Sequence, residues 1–114
     1  MSSNQGRYGG LAARLTETVL ATPGDTSSEK RQAALERGKH PGSSGRTSLP
    51  PELASYIDTV ARHAYKVTDA DVAGLKEAGY SDDAIFEITV AAAVGAAMHR
   101  LDRGMAALRG EEPD

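Results

Sequence analysis

Hydrophobic positions in this chain cluster at helical spacing, and one stretch stands apart from the others. From Ser81 to Leu108 the sequence SDDAIFEITVAAAVGAAMHRLDRGMAAL reads as a single long helix, and its middle, Val90 to Met98, carries no charge on any part of its circumference. A helix that is apolar all round is buried rather than set at a surface. The pattern therefore predicts a central post against which the other helices, or other subunits, pack.

The shorter elements read outward from that post. Leu11, Leu15 and Val19 recur at helical spacing, and Pro23-Gly24 stops the run, which predicts a first helix over about 9–21. Thr26-Ser27-Ser28-Glu29 has the spacing of a capping box and opens a second helix to about Arg37, with Gly38 as its C-terminal cap. Leu35 is the only substantial apolar residue there, so this helix is expected at the surface. Pro51 pre-sets a third helix to about Tyr65, with Leu53, Tyr56, Ile57, Val60 and Ala64 on one face. Thr68-Asp69-Ala70-Asp71 caps a fourth over about 69–78, Gly79 ends it, and Ser81-Asp82-Asp83 opens the long helix, which Gly110 closes. Residues 1–10 and 38–50 lack periodicity and are expected to be flexible, His40 being a solvated loop residue. The organisation that follows is a two-helix N-terminal arm with a Gly/Ser/Pro-rich connection (1–50), a helical core (51–110) and an acidic tail (111–114).

Composition agrees with an all-α bundle of about five helices. Aromatics make up 4% of the 114 residues, so Ala, Val, Leu and Ile must fill the core by close packing. Inside the long helix, Ala92, Gly95 and Ala96 stand where larger side chains would be expected. A glycine in a helix interior costs about 1 kcal/mol relative to alanine, and close approach of another backbone is the usual reason for one. An inter-helix or subunit interface at these three positions is the expectation.

Charge and residue types narrow the function classes. Residues 1–48 hold seven Lys/Arg against four Asp/Glu, and residues 49–114 hold six against twelve. The basic excess is scattered among Gly and Ser rather than gathered on a helix face, which argues against a nucleic-acid surface. No uninterrupted apolar run reaches the ~18–20 residues of a membrane span, and the first ten residues have no signal-peptide core, so a soluble, cytoplasmic protein is expected. There is no cysteine. Disulfides, thiolate metal sites and cysteine redox chemistry are closed to the chain, and its three histidines lack the paired spacing of a metal site.

The stretch from about Tyr56 to Leu108 resembles the second half of the carboxymuconolactone decarboxylase and AhpD-like alkylhydroperoxidase superfamily. The resemblance is carried by a short acid-capped helix ending in Gly (Val67 to Gly79), a Ser81-Asp82-Asp83-Ala84-Ile85 turn, and the small-residue stretch from Val90 to Arg100. It implies a compact helical fold that assembles as trimers or hexamers, with sites near subunit contacts; separately, no cofactor is expected. The peroxidase branch works through a Cys-x-x-Cys pair, in which a thiolate attacks and the second cysteine resolves the disulfide. This chain has neither.

Two readings follow. In the first the chain is a non-redox, oligomeric structural or accessory protein, with a protein partner as a further option. In the second it is a Cys-independent decarboxylase or lyase acting on a small carboxylated or lactone substrate. Its candidate catalytic residues are Glu87, His99 and His63, with Arg100 and Tyr56 to hold substrate. Glu87 is the sole charge between Ala84 and Met98, so it is either driven toward a pocket, where desolvation would raise its pKa, or left exposed or ion-paired in the second helical turn. His99 follows the line of Ile88, Ala92 and Gly95, as an interface histidine would, and His63 borders the apolar face of the third helix.

Overall fold

The computed structural model describes residues 3–42 and 48–110. Its regular structure is helical throughout: α1 (Ser3–Ala21), α2 (Ser28–Lys39), α3 (Pro51–His63), a 3-10 turn (Ala64–Lys66), α4 (Asp69–Glu77) and α5 (Asp82–Leu108). The acidic tail, 111–114, and residues 43–47 of the Gly/Ser/Pro-rich connection lie outside the described residues.

Local signals set most boundaries. The Ser81 hydroxyl accepts from the Ala84 N–H at 3.0 Å, and Thr68 and Asp71 form a reciprocal capping box at the start of α4. Each cap contributes about 1 kcal/mol by satisfying a donor that the helix leaves unpaired. Gly79, at φ 104°, makes the left-handed corner that separates α4 from α5.

Three boundaries differ from the expectation. Residues 3–10 are helical, because a helix nucleated from Leu11 onward gains one backbone hydrogen bond for each residue added toward the N-terminus. The N-cap of α2 is Ser27, accepting from Lys30 N–H at 3.1 Å, because Thr26 is engaged elsewhere. The cap at the other end is His40, and Gly38 lies within the helix.

Gly38 explains why α2 is not a surface helix. The most extensive helix contact in the molecule is α2 against α5. Ala34, Leu35 and Gly38 are buried there, and Leu35 joins Leu53, Ile57 and Ile88 in the centre of the core. A Cβ on Gly38 would overlap the Ala92 carbonyl oxygen, and one on Gly95 would overlap the Leu35 carbonyl oxygen. Small residues bury this helix by bringing backbones together rather than by supplying apolar bulk. The face of Ala92, Gly95 and Ala96, expected to meet another helix or a second subunit, is filled by α2 of the same chain.

The opposite side of α5 is not covered in this way. Ala93 and Ala97 are exposed, and Phe86, Leu101 and Leu108 are 68%, 39% and 75% exposed. Leu11 and Leu15 of α1 reach its edge and form an open apolar groove with Val94 and Met98. The long helix is therefore buried on one side only, not on all sides. By length and composition α5 also meets the measure of a membrane-crossing helix, as core helices of soluble proteins do.

Candidate functional site around Glu87

Glu87 lies in the second turn of α5, facing the loop between α1 and α2. Its Oε2 accepts the Asp25 N–H at 2.9 Å, and its Oε1 accepts the Thr26 N–H at 2.8 Å and the Thr26 hydroxyl at 2.6 Å. A Cβ at Gly24 would overlap the carboxylate, so a larger residue there would displace the Glu87 side chain. Ser81 adds a second tie by donating to Asp25 at 2.7 Å. Together these fasten the loop over the start of α5.

The chemistry of the carboxylate follows from its donors. The Thr26 hydroxyl holds the Glu87 pKa below its ordinary value, outweighing desolvation, with the Asp25 and Thr26 N–H groups and the charge of Arg31 acting in the same direction. The raised pKa that a pocket-facing carboxylate would show is not present. A carboxylate so stabilised is ionised at neutral pH and has its lone pairs committed, which suits an anchor rather than a proton donor.

Arg31 completes the region. Only 6% exposed, it donates through Nη1 to the carbonyls of Val19, at 2.8 Å, and Thr22, at the C-terminal end of α1. Those carbonyls carry the negative end of the helix dipole, so the cation has a counter-charge there as well as Glu87 nearby. Its Nε is buried without a hydrogen-bond partner. Val19, Pro23, Phe86 and Val90 line an open cleft next to Arg31 and Glu87.

The other candidates lie elsewhere. His99 sits twelve residues beyond Glu87 on the same helix, roughly 18 Å along its axis. It is exposed, and its ring meets that of His40 edge-on at 5.8 Å, so His40 is a helix cap in contact rather than a free loop residue. His63 is exposed rather than bordering the apolar face, because it ends α3, and it stands edge-on to Tyr65. The Tyr56 hydroxyl pairs with Thr89 Oγ1 at 2.7 Å, joining α3 to α5, and Arg100 donates to the Ala61 carbonyl at 3.1 Å. The structure does not bring Glu87, His99 and His63 together. Among the described residues no group of three or more His, Asp or Glu is placed to hold a metal ion.

Two polar features were missed in the sequence. One is Arg31, which precedes Leu35 by one helical turn on the buried side of α2 and could have been found from that spacing. The other is a bidentate pair, Arg37 to Asp58 at 2.7 and 2.8 Å, which joins α2 to α3 and also takes the Gly42 N–H at 3.0 Å. The Arg37 hydrogen bond holds the Asp58 pKa down, against the effect of burial, and the same bond raises that of Arg37. No local pattern signals a pair 21 residues apart.

Fold and site together define an all-α protein organised on one long helix, with an ionised carboxylate as a structural clasp. No protein-family model matches the chain, and no curated protein or solved structure matches it.

Proposed function

We propose that the chain is a non-redox relative of the carboxymuconolactone decarboxylase and AhpD-like superfamily that works as a homo-oligomeric structural or accessory protein. The observation that carries this reading is the uncovered apolar side of α5: a chain with so few large hydrophobic residues leaves Phe86, Leu101 and Leu108 in water. Contiguous exposed apolar surface of this kind marks an interaction site. The order of capped turns before α5 supports the superfamily resemblance, and the lack of cysteine removes its peroxidase chemistry.

The lyase reading needs Glu87 to share a pocket with His63 or His99. Glu87 is instead committed to Asp25 and Thr26, and the two histidines lie apart from it. No geometry favours that reading.

Size-exclusion chromatography with light scattering at micromolar concentration tests the proposal. The expected result is a mass that is a multiple of 11.9 kDa. A stable monomer overturns it.

A further inference from the structure

Helices α1 and α5 run antiparallel and touch without closing the seam between them. Thr18, Val19 and Thr22 stand opposite Phe86 and Val90, while Leu11 and Leu15 stand opposite Val94, Ala97 and Leu101. Positions 11, 15, 18 and 22 of α1 step by three or four residues, as do 86, 90, 94, 97 and 101 of α5, so each set lies on one helix face. The two clefts therefore follow one another along a single seam, which runs roughly 17 Å from Val90 to Leu101. Leu11 and Leu15 remain 58% and 48% exposed beside it.

One end of the seam is polar. Arg31, nine-tenths buried, lines the cleft there; its Nη1 is spent on the Val19 and Thr22 carbonyls, and its Nε has no acceptor. A buried N–H without an acceptor is unfavourable, so an acceptor brought to it is favoured. Thr18 and Thr22 line the same cleft, and their hydroxyl protons are spent on the Arg14 and Thr18 carbonyls, which leaves the oxygens as acceptors. The charges of Arg31 and the ionised Glu87 balance one another. An anionic head group would meet the carboxylate, and a cationic one the guanidinium. What fits is a neutral head with one acceptor and one donor, joined to an apolar tail. The polar cleft offers about 340 Å³, within the ~300–1,000 Å³ of small-molecule sites.

We propose that the α1–α5 seam binds the amide of an acyl chain, with the carbonyl on Arg31, the amide N–H on the Thr18 or Thr22 hydroxyl, and the chain running past Val90 toward Leu101. The Arg31 Nε is covered while the seam is empty, so the carbonyl reaches it with an outward shift of α1, whose leucines leave the seam half open. This goes beyond the homo-oligomer reading and does not depend on it, since every group named belongs to one chain.

Titration of the full chain with hexanamide, octanamide and decanamide, followed by nuclear magnetic resonance, tests the proposal. One saturable site per chain is expected, with the Arg31 Nε–H signal and the Val90 and Val94 amides moving together. Affinity should rise about tenfold for each two carbons added, as burial of methylene groups predicts. Thr18→Trp, which fills the cleft from an exposed position, should abolish binding with helical circular dichroism unchanged. Ala97→Phe narrows the far end and should remove the gain from octanamide to decanamide while leaving hexanamide as it was. Decanoate or decylamine binding as tightly as decanamide overturns the neutral amide head. A wild-type chain with no saturable shift along the seam, or a Thr18→Trp chain that binds decanamide normally, overturns the site. Neither result bears on the mass of the assembly, which chromatography reads separately.

Discussion

On the side of α5 that faces α2, Ala92, Gly95 and Ala96 are buried against a helix of the same chain; on the other side Ala93 and Ala97, equally small, are exposed. Composition does not separate the two. What separates them is the partner surface: α2 offers Ala34 and Gly38, whose lack of bulk lets its backbone reach α5, whereas α1 runs beside Phe86, Val90, Ala97 and Leu101 and leaves open grooves against them. Small residues on a helix therefore signal that a backbone comes close, without saying whose it is.

The inner side is the one that tolerates least. Gly95→Val would set a branched Cβ into the Leu35 carbonyl and against the Lys39 amide, groups of a helix backbone that cannot rotate away. Overpacking of this kind costs typically 1–3 kcal/mol, and a clash with backbone belongs at the upper end, about 3 kcal/mol. A urea melt should show it as a large fall in midpoint. A wild-type midpoint would mean that α2 and α5 do not approach closely at Gly95.

Next in size is the clasp that lays the α1–α2 loop on α5. Glu87→Ala removes three hydrogen bonds to a charged acceptor, two of them from the buried Thr26. Bonds to charged groups are worth about 1.5–3 kcal/mol each when buried, but water can reach part of this loop, so a net loss of about 2 kcal/mol is expected. Hydrogen exchange at the Asp25 and Thr26 amides should quicken at the same time. Unchanged exchange would show that the loop is held by something other than the carboxylate.

Acid should act on both carboxylates. Asp58 and Glu87 have folded pKa values below their ordinary 3.8 and 4.5, so on acidification the unfolded chain takes up these protons first. Their contribution is complete above the ordinary carboxylate range and is lost as pH falls through the lowered folded values. Stability measured from pH 7 to pH 2 should be level in these two groups down to about pH 4.5 and then decline, and Asp58→Asn should flatten part of the decline.

Much of the fold was legible because its signals are local. The Ser81 and Thr68 caps, the Gly79 corner and the amphipathic face of Leu53, Ile57 and Val60 each lie within a few residues of sequence. The position of α2 was not legible, since its burial comes from Gly38 meeting Ala92 across the fold and hydrophobic counting treats a glycine as nothing. The site divides in the same way. Glu87 could be singled out as a lone charge entering an apolar helix, but its partners, Asp25 and Thr26, lie 62 and 61 residues away, and Thr26 had a local alternative as a helix cap. Competition between a local N–H donor and a distant carboxylate acceptor for the Thr26 hydroxyl is decided by packing, which no spacing rule contains.

The smallest effect reports on the outer side directly. Gly104 is an exposed interior position of α5 with open space where a Cβ would stand, so Gly104→Ala should stabilise an isolated chain by up to about 1 kcal/mol, mainly by restricting the unfolded state. Introduced on Ala97→Glu, which sets a charge on the exposed side of α5, it should raise the denaturation midpoint by that amount. On the homo-oligomer proposal, the same change on the wild type adds a methyl that must find room between two helices, and the gain should shrink or reverse. The difference between the two backgrounds measures whether another backbone is present at Gly104, and an equal gain in both places that residue outside any contact.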